Sequence, residues 1–284
     1  MKPLSPSRIN ALVWAIVAAF LLVLVLAAGV QAWSNRQAAL EGREEQVARF
    51  VSGAEVALNR SFLSIDLLLS GTDSMLGLST SMADWIDAST GSQLLGFVTR
   101  GNLLVSMTAL IDADGRVLAS SESAETRNAL QLPSGFLQQA LSLAASSLLV
   151  SEPAISFNST QSVLYFARPL KLANGARLVV VAEVPRSKLA AVLMQGADVS
   201  GLEVVLERSD GRALLTIPDL GEQARLQSVQ PLKDLPDSAW GVPGRLSGEP
   251  ALVVSRPLIY QNLRISASLP ESTALADWHR ERNI

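Results

Sequence analysis

The chain has 284 residues, 49% of them hydrophobic, with a net charge of -3, one His and no Cys. That composition excludes disulfide staples and thiolate chemistry and leaves too few His and Cys ligands for a usual zinc or copper site. With no Lys/Arg cluster in the long C-terminal part, it also argues against a nucleic-acid partner.

Residues 1–10 form a short tail whose charges are Lys2 and Arg8. Ala11 to Val30 then runs without a charge, and at about 1.5 Å per residue it spans roughly the 30 Å hydrocarbon core of a bilayer. Residues 11–33 are therefore read as a transmembrane helix. The positive-inside tendency puts Met1 in the cytoplasm and the bulk of the chain outside. A cleaved signal peptide is the competing reading, although its apolar core usually runs only about 7–15 residues.

From Ser34, apolar residues recur at Leu40, Val47, Val51, Ala54, Leu58, Phe62, Ile65 and Leu69, in steps mostly of three and four. This is one face of an α-helix. The helix is expected to reach Leu69 or beyond, about 55 Å past the bilayer at 1.5 Å per residue. Phe62 to Leu69 is apolar on nearly every side and is expected to be sandwiched, whereas the lower portion is expected to pair with its copy in a dimer. After Gly71 the composition shifts to Ser, Thr and Gly, with short helices expected at Met82 to Ile86 and Gln93 to Arg100.

The pattern then changes to period two around Ala113-Asp114-Gly115-Arg116, a hairpin signal because its turn needs positive φ. A helix is predicted from Ser134, as N-cap, to Ser146. Strands are predicted near Leu149 to Phe157, Val163 to Pro169 and Arg177 to Val184, the last two joined by Ala173-Asn174-Gly175, and Pro185 opens a helix through Met194. The unit repeats. Leu110-Ile-Asp-Ala-Asp-Gly-Arg-Val-Leu-Ala-Ser120 lines up with Leu206-Glu-Arg-Ser-Asp-Gly-Arg-Ala-Leu-Leu-Thr216, Ala167-Arg-Pro-Leu170 with Ser255-Arg-Pro-Leu258, and Val184-Pro185 with Leu269-Pro270. An internal repeat of about 90 residues in one order means two similar modules in tandem.

A membrane helix, a long exterior helix and two modules with these hairpins resemble the double Cache sensor region of a bacterial transmembrane receptor. The stretch Ala57-Leu-Asn-Arg-Ser-Phe-Leu-Ser-Ile-Asp-Leu-Leu-Leu69 resembles the long helix of such regions attached to cyclic-di-GMP enzymes. The resemblance implies an α+β fold of PAS-like modules with antiparallel sheets: a long signalling helix and turn over 34–90, a membrane-distal ligand-binding module over 91–197 and a membrane-proximal module over 198–276. It further implies an inner-membrane receptor with a periplasmic bulk, and a second membrane helix leading to a cytoplasmic kinase, methyl-accepting or cyclic-di-GMP output. Residues 277–284, Trp278-His-Arg-Glu-Arg-Asn-Ile284, would approach that second span, so the chain is read as the sensor part of a longer receptor; a single-span protein signalling by association is the alternative. The clustered Arg, Trp and Tyr with a later Asp of the amino-acid-binding subgroup is not found here.

Catalytic motifs are absent from the sequence: there is no Gly-x-Ser-x-Gly elbow, no Ser-x-x-Lys pair, and the lone His279 sits in a charged tail. Asp112 and Asp114 are read as hairpin residues in preference to a metal or acid/base pair. A binding pocket in the distal module remains. Its candidate polar and aromatic residues are Trp85, Arg100, Ser106, Thr108, Tyr165, Arg168 and Glu183, with Arg100 suited to a bidentate carboxylate contact and Tyr165 to closing over it. No cofactor and no metal is expected. The expected partners are a small-molecule ligand, the membrane and a second copy along the long helix, with a protein-interaction scaffold as the alternative reading.

Overall fold

The computed structural model describes residues 6–80, 88–123, 130–143, 147–156, 159–171, 177–195, 200–220, 237–260 and 262–274. The chain divides into two compact units, Met1–Gln46 with Ser272–Ile284, and Val47–Glu271. In the first unit helix α1 (Pro6–Thr80) begins, and among the described residues it is the one helix long and apolar enough to cross a membrane. Phe20 to Leu26 are exposed along it, as a lipid-facing helix requires.

In the second unit the predicted stripe is buried: Val47, Val51, Leu58, Phe62, Ile65 and Leu69 are fully inaccessible and Ala54 nearly so. The helix runs beyond Leu69 as expected and does not break at Gly71 but continues to Thr80. A single exposed glycine costs a helix only about 1 kcal/mol, and Thr72, fully buried, donates its hydroxyl to Leu68 O one turn back. Nor is Phe62 to Leu69 covered on every side, because Leu63 and Leu67 are 51% and 62% exposed. Helix α2 (Ala88–Arg100) begins before the expected Gln93, and the helix expected at 82–86 lies outside the described residues.

The first sheet is built from β1 (Met107–Asp112), β2 (Val117–Ser120), β3 (Leu149–Val150), β4 (Ala154–Ile155), β5 (Ser162–Lys171) and β6 (Arg177–Pro185), in the order β2-β1-β6-β5-β3 with β4 also paired to β5. The second comprises β7 (Glu203–Arg208), β8 (Ala213–Ile217), β9 (Ser238–Pro243), β10 (Pro250–Pro257) and β11 (Leu263–Pro270), in the order β8-β7-β11-β10-β9. The two orders match, and all pairs are antiparallel. Every sequence landmark occupies the same place in both sheets. Asp-Gly-Arg makes the β1–β2 and β7–β8 turns, with Gly115 at φ 86° and Gly211 at φ 87°. A register irregularity follows Leu110 in one and Leu206 in the other. Arg-Pro lies late in β5 and in β10, and Pro185 and Pro270 close β6 and β11. The architecture is α+β, with tandem modules on one long helix.

Local chemistry accounts for the remaining differences. Asp112 Oδ1 accepts from the amides of Asp114 at 3.0 Å and Arg116 at 2.8 Å, so it ties the hairpin turn. The strand expected over 149–157 is broken into β3 and β4 because Pro153 removes a donor, and Ser151 substitutes its side chain for the ladder by accepting from Tyr165 N at 2.8 Å. Helix α3 (Phe136–Ser142) starts after Gly135 at φ 76°, not after a Ser134 cap. Helix α4 (Arg186–Met194) follows Pro185 as expected.

Candidate functional site

Residues paired across an antiparallel ladder share a face, and successive residues alternate. Tyr165 stands opposite Glu183, which also stands opposite Met107. Tyr165, Ala167, Val179, Val181 and Glu183 therefore occupy one face of the first sheet, and Leu164, Phe166, Arg168 and Thr108 the other. The first face packs against Phe136, Leu137 and Ala140 of α3; Phe166, on the second, meets Phe62 of α1 edge-on, with centroids 5.1 Å apart.

Glu183 is the one acidic residue in an otherwise apolar strand interior, and it is buried. Three hydroxyls hold its carboxylate. Ser106 and Ser156 donate to Oε1 at 3.0 and 3.2 Å, and Tyr165 donates to Oε2 at 3.1 Å. Among the described residues no cation pairs with it. Burial pushes the Tyr165 phenol far above its usual range, and the Glu183 charge and the hydrogen bond push it further, so the hydroxyl stays a donor. A buried carboxylate solvated by hydroxyls alone has lone-pair capacity for a further donor, and a positive charge would serve it best.

The other candidates lie elsewhere. Thr108 shares a 2.6 Å hydroxyl contact with Thr99 of α2. Arg168 pairs with Asp66 of α1, and this carboxylate is also hydrogen-bonded to Tyr260 of the second module. Burial and the Asp66 charge push the Tyr260 hydroxyl up to about 12. Arg168 thus ties the first sheet to α1. Arg100 is exposed at the end of α2, in an open groove of about 370 Å³ that also holds Ser106, Glu122 and Lys188; Tyr165 does not line that groove, so a joint Arg100–Tyr165 contact is not formed. Trp85 lies outside the described residues.

Sequence reasoning missed Ser156, Asp66 and Tyr260, whose partners are remote in the chain. It also missed a second buried charge. Glu207, fully inaccessible, receives Arg245 Nε at 3.2 Å and a second guanidinium bond, plus Ser266 Oγ at 2.7 Å. Burial pushes the Glu207 carboxyl up, and Arg245 and Ser266 oppose this. The aligned Ile111–Glu207 position in the repeat was a usable signal, since an acidic residue replaces a core aliphatic one there.

No protein-family model matches the chain, and no curated protein matches it. Solved structures do. The extracellular domain described as that of a histidine kinase, rpHK1S-Z16, is 19% identical with a TM-score of 0.68, covering 84% of this chain and 99% of its own. The ligand-binding domain of the Pseudomonas fluorescens chemoreceptor CtaA, in complex with L-isoleucine, is 17% identical with a TM-score of 0.58, covering 87% and 98%. That of the Pseudomonas aeruginosa amino-acid chemoreceptor PctC, in complex with GABA, is 18% identical with a TM-score of 0.54, covering 80% and 99%. With the paired sheets on one long helix, the fold of this chain is that of the double Cache-like ligand-binding domains of bacterial receptors.

Proposed function

We propose that the chain is a membrane-anchored, extracytoplasmic ligand-sensing region whose distal module, 91–197, recognises a small molecule through Glu183, Tyr165, Ser106 and Ser156. The observation that carries the reading is the Glu183 carboxylate, buried with no cation among the described residues and held by three hydroxyls. A ligand ammonium group supplies the missing charge. The amino acids named with the similar receptor domains contain such a group. In this reading Met1 is cytoplasmic, the modules are periplasmic, and 198–276 is the proximal module that leads back to the inner membrane and a cytoplasmic output such as cyclic-di-GMP turnover.

Two copies pair along α1. Val56, Leu63 and Leu67 are exposed at steps of seven and four, the spacing of a helix–helix seam. A ligand shifts such a pair only by binding one of its two packings better. The test is the melting of the full chain in detergent micelles with amino acids, primary amines and polyols. A compound at a hundred times its dissociation constant adds about 2.7 kcal/mol. The expected result is stabilisation by an ammonium compound that disappears in Glu183→Gln and weakens in Tyr165→Phe. Stabilisation unchanged in both variants would remove Glu183 as the recognition group. The scaffold reading draws on the apolar filling of the same sheet face by Phe136 and Leu137 and on the exposure of Phe97 and Leu103; a folded chain silent across the whole panel favours it.

A further inference from the structure

We infer a second small-molecule site, independent of the Glu183 cluster, in a cavity of about 440 Å³ where α1 and the two modules meet. Its size is that of a small-ligand pocket. One wall is Asp66 on α1, another the segment that leads into β3 through Leu148 and Leu149, and the third is the β10–β11 turn with Tyr260 and the end of β7 with Arg208. The walls thus combine aliphatic side chains with polar groups on each of the three sides.

The charges on those walls are unequal. Asp66 is already paired with Arg168 and hydrogen-bonded to Tyr260, so its charge is spent within the protein. The Arg208 guanidinium has no hydrogen-bond or ion-pair partner among the described residues, although it is partly buried and borders the cavity. An unpaired planar fork beside aliphatic surface is complementary to a carboxylate carried on an apolar body. The turn is tight, with Asn262 at φ 66°, a left-handed conformation that Asn adopts in turns, and it presents an apolar side chain. Ile259 is 79% exposed, with its amide held by Asn59 Oδ1 of α1 at 3.0 Å. A short branched or aromatic carboxylic acid would place its carboxylate on Arg208 and its body against Leu148, Leu149 and Ile259. Because the walls come from both modules and α1, occupancy would change how the modules sit on the helix.

The experiment uses the full chain in detergent micelles, with acetate, isovalerate, benzoate and phenylacetate as probes, and isovaleramide and benzamide as uncharged matches. Melting temperature and calorimetric titration are read for wild type, Arg208→Gln and Lys188→Gln, the last removing a positive charge from another groove of the same unit. The expected result is binding of isovalerate or benzoate, at least tenfold weaker binding of acetate and the amides, at least tenfold loss in Arg208→Gln and retention in Lys188→Gln. Failure of all four acids to bind the folded wild type, equal binding of acid and amide, or equal binding by Arg208→Gln would overturn the proposal. Glu183→Gln separates the two sites, since it abolishes ammonium recognition in the distal module and leaves acid binding at Arg208 intact.

Discussion

Phe62 is an apolar side chain of α1 that contacts both modules, so Phe62→Ala is an informative perturbation of the scaffold. It is fully buried, with Phe166 of the first sheet edge-on at 5.1 Å and Tyr260 of the second module edge-on at 5.9 Å. Truncating a buried Phe to Ala costs about 3–5 kcal/mol through lost transfer energy and the cavity left behind. Each aromatic pair adds about 0.5–1.5 kcal/mol beyond area burial, which places this site in the upper half of that range. For a unit the size of Val47–Glu271, about 2–4 °C of melting temperature accompanies each kcal/mol, so the variant should melt roughly 8–20 °C below wild type. Leu67→Ala, at an exposed position one to two turns away, is the comparison and should change the melting of the monomer by less than about 1 kcal/mol. Thermal unfolding by circular dichroism, with urea titration for the free energy, measures both. Equal small losses in the two variants would refute the packing argument.

Three other perturbations follow from the same structure. Gly115 turns the β1–β2 hairpin at φ 86°, with Leu137 Cδ2 3.6 Å from where a Cβ would lie; Gly115→Val should cost about 1–2 kcal/mol in urea unfolding from backbone strain alone, and no loss would contradict the turn geometry. Arg245→Met should cost about 3–5 kcal/mol by stranding the buried Glu207, and the double change with Glu207→Leu should recover most of it; a double variant as weak as the single one would show that the pair is not the cause. Tyr260 has its hydroxyl raised from 10.0 to about 12. A raised value in the fold means a contribution that is full below pH 10 and lost as pH rises towards 12, so the stability advantage of wild type over Tyr260→Phe should shrink across that window. A pH-independent difference between the two proteins would contradict it.

How much could be read beforehand depends on how local the cause is. The buried stripe of α1 and the two Asp-Gly-Arg hairpins were legible because helical spacing and positive φ are written in neighbouring residues. The tandem repeat was legible because equivalent residues recur in order, down to the prolines that end β6 and β11. That α1 runs beyond Leu69 was legible too, but its end at Thr80 was not, since propensity alone is a weak signal against tertiary burial such as that of Thr72. Nor was the start of α3 after Gly135, because a polar Ser beside it offered a more conventional cap. In the candidate site, Glu183 and Tyr165 were legible as polar and aromatic members of the first module, but their pairing across β5 and β6 was not, since register depends on the whole ladder. Ser156 and Asp66 were not legible, because what matters about them is a partner 27 residues away in one case and 102 in the other. Long-range pairing of that kind leaves no local pattern.

The central claim is that a ligand held in the distal module is read through the pairing of two copies of α1. The chain contains no cysteine, so Leu67→Cys introduces a single thiol on the exposed face of that helix. Its disulfide cross-linking in membranes, measured with and without the compound that stabilises wild type, tests the claim most directly. The account predicts a cross-linked dimer whose rate of formation changes with that compound and no longer changes when Glu183→Gln is added. Absence of cross-linking from both Leu67→Cys and Leu63→Cys, or a rate indifferent to the compound, would contradict it.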